Sequence, residues 1–131
     1  DKGARLNAKD IFGMTVAHHA APASSYRPLK LLAEKGVNVD AADAVGETPL
    51  MRAALMDAVE CMTYLLESGA RPDAKNFTGK SVVHHAARAS SSRPLRALVK
   101  EGVHIDAADA GGETPLMCAA LRDAVQCVTY L

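Results

Sequence analysis

Two pairs of adjacent histidines, His18–His19 in "AHHAA" and His84–His85 in "VHHAA", are the first residues of this 131-residue chain whose type suggests chemistry. Imidazoles ligate zinc and relay protons. A shared metal needs ligands that converge, and helical neighbours at i, i+1 do not share a face. The cysteines Cys61, Cys118 and Cys127 are the next candidates. They form no Cys–His–Asx arrangement with the spacing of a nucleophile, and no Gly-rich phosphate loop accompanies them. Their irregular spacing makes no disulfide framework. The expectation is a chain that is not an enzyme and takes no cofactor, no metal and no small-molecule substrate.

The elements that carry these residues explain them better. The segments "NAKDIFGMT" from Asn7, "DAADAVGET" from Asp40, "DAKNFTGKS" from Asp73 and "DAADAGGET" from Asp106 start 33 residues apart. A fixed period in this range marks stacked supersecondary units that touch mainly their neighbours. Units one and three resemble each other most, as do units two and four, so a larger period of 66 runs through the chain. Roughly two-thirds of aligned residues match across it, the mark of a duplicated two-unit block. The histidine pairs thus stand two units apart, about 20 Å if stacked helices lie 8–10 Å from one another. No tetrahedral zinc site spans that distance.

Each unit carries the same local signals. Gly13, Gly46, Gly79 and Gly112 each follow an Asx residue by three positions, as a tight turn with an unusual backbone angle requires. Thr15, Thr48, Ser81 and Thr114 are natural N-caps, and Pro49 and Pro115 follow at the first helical position. Ala20–Ala21, Ala53–Ala54, Ala86–Ala87 and Ala119–Ala120 let neighbouring helices approach closely. "DAVE" from Asp57 and "DAVQ" from Asp123 suggest capping boxes opening a second helix, while "SSYRP" and "SSSRP" offer serine caps there. Gly36, Gly69 and Gly102 end that helix. Cys61 and Cys127 fall on equivalent apolar positions, as small buried hydrophobes would. Cys118 stands where unit two has Arg52, a position expected to be accessible.

Composition narrows the class. Hydrophobic residues make up 49% and aromatic ones 4%, so the core must be built from Ala, Leu, Val and Met, which suits thin, closely packed helices. Fifteen basic residues balance fifteen acidic ones, which gives no footprint for a nucleic-acid backbone or an anionic membrane. No apolar run approaches the roughly 20 residues of a membrane span, so no membrane insertion is expected. The compartment is unassigned. Cytoplasmic is the default, and a periplasmic or secreted location after signal-peptide removal is the alternative.

The segments "GETPLMRAA", "GETPLMCAA" and "ESGARPDAK" resemble the ankyrin repeat, whose core pattern is D-x-x-G-x-T-P-L-H-x-A-A. The resemblance covers nearly the whole chain and recurs four times. It implies an all-α repeat solenoid of stacked ankyrin repeats, each a β-turn or hairpin finger plus two antiparallel helices, with a concave binding face. Residues 1–6 would end a preceding repeat, with repeats at 7–39, 40–72, 73–105 and an incomplete one at 106–131. An array reaching beyond both ends is the expectation. The T-P-L-H tetrad reads "TVAH" and "SVVH" in units one and three and "TPLM" in units two and four. His18 and His84 therefore fall on the family's structural histidine position. The missing imidazoles imply looser helix starts at Met51 and Met117.

Function is expected at surfaces. Finger positions of the family point outward, and Phe12 and Phe77, with Ile11, Met14, Thr78 and Lys80 beside them, fall there. Exposed aromatic anchors are what interfaces use for much of their affinity. His19, Arg52 and His85 fall on the variable position that the family presents to the concave face. The reading is a protein-binding scaffold with two similar surfaces from the duplication, serving two copies of one partner or two related proteins. An inhibitor or immunity-type protein that blocks a partner enzyme is the alternative, and a segment of a larger regulatory protein is a third. "NFT" at Asn76 matches a glycosylation acceptor but reads as coincidence.

Overall fold

Each Asx–x–x–Gly segment closes on its own side chain. In the computed structural model, which describes residues 3–131, the Asp10 carboxylate accepts the N–H groups of Phe12 and Met14 at 2.9 Å. Asp43, Asn76 and Asp109 repeat the device on Val45 and Glu47, Thr78 and Lys80, and Gly111 and Glu113. The four glycines that complete these turns take φ from +75° to +85°, the left-handed region that a side chain disfavours. Among the described residues the fingers hold no strand. They are turns, not hairpins.

Each finger delivers the chain to a capped helix. The hydroxyls of Thr48 and Thr114 accept from the N–H of Met51 and Met117 at 3.4 and 3.3 Å, and Ser81 accepts from Val83 at 3.3 Å. Met51 is almost wholly buried, so the histidine-free start in unit two is packed and capped.

Eight helices follow in the described residues: α1 (Val16–Ala20), α2 (Arg27–Glu34), α3 (Pro49–Leu55), α4 (Val59–Glu67), α5 (Val82–Ala87), α6 (Arg93–Lys100), α7 (Pro115–Leu121) and α8 (Val125–Tyr130). None exceeds nine residues, too short to persist alone in water, so packing must hold them. They pack as four pairs, α1 on α2, α3 on α4, α5 on α6 and α7 on α8. The pairs stack through α1, α3, α5 and α7 in turn, and α4 also meets α6. The result is an all-α repeat solenoid.

Alanines make the stack close. Ala17, Ala21, Ala53, Ala54, Ala86, Ala87 and Ala119 are fully buried between helices. Leu29, Leu50, Met62, Leu65, Leu95 and Leu98 fill the space behind them, and truncating such a leucine costs about 2–5 kcal/mol. Cys61 and Cys127 are buried in this layer as expected, and burial raises both thiol pKa values. Cys118 is buried too, not accessible, because α7 turns it inward toward Glu113.

The second helices start differently from the pattern. Ala58 and Ala124 are the N-caps of α4 and α8, without a side-chain cap. Asp57 and Asp123 precede them at φ of 61° and 55°, because the turn between paired helices is too tight for an extended cap. Freed from capping, the Asp57 carboxylate accepts from the Ser91 hydroxyl at 2.8 Å in the next pair. In α2 and α6 the hydroxyls of Ser25 and Ser91 accept from Arg27 and Arg93 N–H at 3.2 Å, with Pro28 and Pro94 in the first turn.

Fingers are tied to one another at their tips. Ala44 N–H donates to the Phe12 carbonyl, Phe77 N–H to that of Val45, and Ala110 N–H to that of Thr78, each at 3.0 Å. The finger glycines make this approach possible. A Cβ on Gly13 would lie 2.8 Å from Ala44 N, and one on Gly79 2.5 Å from Ala110 N.

Candidate protein-binding surface

The tip ladder brings four exposed apolar residues, both phenylalanines among them, onto neighbouring fingers. Ile11 is 92% exposed, Phe12 62%, Val45 58% and Phe77 78%. Phe12 and Ala44, then Val45 and Phe77, are joined by consecutive tip hydrogen bonds, so these side chains form one row. The edge of the Phe77 ring passes over Gly46, where a Cβ would meet it at 2.9 Å. Thr78 is exposed beside it, and Met14 is half-buried at the base of the first finger. Val45 escaped the sequence reading, because "ADAVGE" looks bland. Its signal was an apolar residue at the loop position that holds Phe12 one unit earlier.

The histidines divide by position. Thr15 N–H donates to His18 Nδ1 at 3.0 Å, so Nε2 carries the proton and donates to the Glu47 carbonyl at 2.8 Å. His84 repeats this between Ser81 N–H, at 3.2 Å, and the Glu113 carbonyl, at 2.9 Å. These two imidazoles cap their own helix and bond the next pair. They are joints.

His19 and His85 share a sequence position and have different fates. His19 is exposed and donates from Nε2 to Asp10 Oδ2 at 2.9 Å, on its own finger. Partial burial pushes the Asp10 carboxyl up, but the Met14 N–H, the His19 ring and the Phe12 N–H outweigh it and hold it below its ordinary range. His85 is only 2% exposed, which corrects the expectation that it faces a partner. Its Nδ1 lies 2.8 Å from the Ser81 carbonyl oxygen, and its Nε2 lies 2.5 Å from Glu47 Oε2. Asn76 Nδ2 donates to the same oxygen at 3.0 Å. The His85 ring is the main cause that holds the Glu47 carboxyl down at about 2.

Lys80 is likewise engaged inside the stack. Its ammonium lies 2.5 Å from Asp109 Oδ2, and the two side chains are 19% and 3% exposed. That contact raises the Lys80 pKa and holds Asp109 down at about 2. Lys80 therefore belongs to a junction rather than to the exposed finger. Arg52 is half-buried and spends Nε on the His18 carbonyl at 3.1 Å. Asn76, the glycosylation-pattern residue, has both amide atoms in internal hydrogen bonds.

Two recesses lie along α3, α5 and α7. One, of about 570 Å³, is lined in part by Leu55, Met56, Arg88, Arg122, Asp123 and Val125. Its neighbour, of about 470 Å³, is lined by Lys80, Arg88, Glu113, Cys118, Leu121 and Arg122. Arg88 and Arg122 line both and were not singled out in the sequence. Among the described residues no three His, Cys, Asp or Glu side chains converge as a metal site requires. No helix among them is long and apolar enough to cross a membrane.

Stacked helix pairs with outward fingers define a helical-repeat solenoid. A family model described as ankyrin repeats (3 copies) matches residues 2–76 and 71–131, and the chain belongs to the ankyrin repeat family. Proteins of this family are generally protein-binding scaffolds and typically non-enzymatic. No curated protein matches the chain.

Proposed function

We propose that this chain is a non-enzymatic protein-binding module whose partner lies across the finger tips and reaches into the concave stripe. The observation that carries this is the row of Ile11, Phe12, Val45 and Phe77 on neighbouring finger tips, exposed although both phenylalanines of the chain are in it. A large apolar row on a scaffold invites association and needs an occupant. Thr78, Met14, His19 and Arg52 flank it as polar and half-buried contacts. The repeats take the boundaries 7–39, 40–72, 73–105 and 106–131, so each supplies one finger. Continuity of the row through Val45 favours one extended partner over two separate copies.

The test is the intact mass of the complex captured from native extract, beside the variants Phe12→Ala and Phe77→Ala. Both rings are exposed, so stability should change by less than about 0.5 kcal/mol. Affinity should fall about tenfold or more for each. One partner per chain, weakened by both variants, supports a single extended site. Two copies, each lost with its own Phe, would restore the bivalent reading. A complex indifferent to both substitutions would sink the finger-tip site. Loss of a captured enzyme's activity on mixing would identify the inhibitor alternative.

A further inference from the structure

The groove formed by the third and fourth helix pairs differs from the first two in charge, and the duplication supplies the control. Arg88 and Arg122 stand 66 residues after Pro22 and Met56. Seven of the ten other second-block lining residues repeat those of the first block, while Lys80 replaces Met14, Cys118 replaces Arg52 and Gln126 replaces Glu60, so the second block's surface is the more basic one.

Neither guanidinium is used by the fold. Arg52 bonds the His18 carbonyl, Arg71 and Arg93 face Asp40 and Asp57, Arg96 donates to Ser92 Oγ, and Lys80 holds Asp109. Arg88 and Arg122 have no side-chain hydrogen bond or ion pair among the described residues, and Arg88 is half-buried. A guanidinium presents five donors in a planar fork that matches a carboxylate. Arg88, half-buried and unpaired, is poised for such an acceptor, and Arg122 stands exposed beside it. Both arginines line both recesses, so they form the wall between them. Met56, Leu121 and Val125 are exposed apolar surface around that wall.

In number the charges balance, with Asp123 in the first recess and Glu113 in the second set against Arg88 and Arg122, and Asp109 neutralising Lys80. Among the described residues, however, neither Asp123 nor Glu113 comes within ion-pair distance of either guanidinium, so both forks keep their donors open. Two free cations with no stacking aromatic ring suit a peptide carboxylate better than a nucleic-acid backbone, which needs a longer basic track.

We propose that this groove takes an acidic segment of a protein partner, with an Asp or Glu carboxylate held between Arg88 and Arg122 and an adjacent apolar side chain against Met56 or Leu121. It rests on the protein-binding reading above but uses a different surface from the finger tips.

A displayed library of random 12-residue peptides, selected against the protein and against Arg88→Gln/Arg122→Gln, tests it. Matching thermal melts establish that the double variant is folded. The wild type should enrich peptides with an acidic residue beside an apolar one, and the double variant should lose that bias. The best such peptide, fluorescein-labelled, should bind the double variant about tenfold or more weakly and Phe12→Ala unchanged. Enrichment of peptides without acidic bias, sensitive to Phe12→Ala, would overturn the groove and leave the protein-binding reading standing. Recovery of no peptide would overturn both. Full displacement of the labelled peptide by an equimolar 12-nucleotide single-stranded DNA would replace the proposal with an unselective anion patch.

Discussion

Glu47 is the charge on which the junction between the second and third helix pairs turns, and Glu47→Gln removes it with little change of shape. A carboxyl held at about 2 instead of its ordinary 4.5 carries at most about 3 kcal/mol of stability at 1.36 kcal/mol per pH unit. Solvent still reaches 22% of the side chain, and screening there reduces the figure to about 1–2 kcal/mol. The sign follows from the lowered pKa. The contribution is complete above 4.5 and disappears as pH falls toward 2. Urea unfolding followed by circular dichroism, at pH 6 and pH 3 in low salt, measures it. At pH 6 the variant should be about 1–2 kcal/mol less stable, and by pH 3 the gap should shrink below half. Asp10 and Asp109 titrate in both proteins, so their losses cancel in the difference. An equal gap at both pH values would mean that packing, not charge, holds the junction. No gap at pH 6 would mean that the network with His85 and Asn76 contributes nothing.

Two further outcomes test the stack. Gly79→Ala should cost about 2–4 kcal/mol, since its Cβ would lie 2.5 Å from Ala110 N at a φ of +80°. Gly112→Ala, at +84° but with nothing within 4 Å, should cost only about 1 kcal/mol. Equal costs in thermal melts would refute the finger contact as the reason for Gly79. Cys61, Cys118 and Cys127 are buried with raised pKa values, chiefly from burial. In the native protein at pH 8 their reaction with Ellman's reagent should run about 100-fold or more below the unfolded rate. Comparable rates would refute their burial.

What was legible in the sequence was chemistry confined to a few consecutive residues. The Asx–x–x–Gly turn, the Thr cap and the Pro after it each satisfy local backbone groups, so the pattern states the geometry. The outward placement of Phe12 and Phe77 came from the resemblance to the ankyrin finger, and both rings are exposed. His85 was not legible. The dipeptide His–His reads alike in both blocks, and only contact with Glu47 of the preceding pair decides that the ring is buried. Lys80 was hidden for the same reason, its partner Asp109 lying 29 residues away. Asp57 misled because its letters match a capping box, while the tight turn puts it in the left-handed region, with its carboxylate on Ser91. Arg88 and Arg122 carried a signal only as departures from the repeat, visible once the recesses joined them.

The exchange of Asp10 for Asn76 two units later has a consequence for how such an array can grow. With aspartate in the finger, the imidazole of the same unit folds home onto it, as His19 does. With asparagine, the amide sides with the imidazole as a second donor, and both reach back to a glutamate in the unit before. One oxygen traded for one nitrogen thus goes with a change in the ring's partner, from its own finger to the unit before. At the seam between the two blocks this adds a carboxylate clasp to the Phe77–Val45 tip bond and the Ser91–Asp57 bond that join them as well.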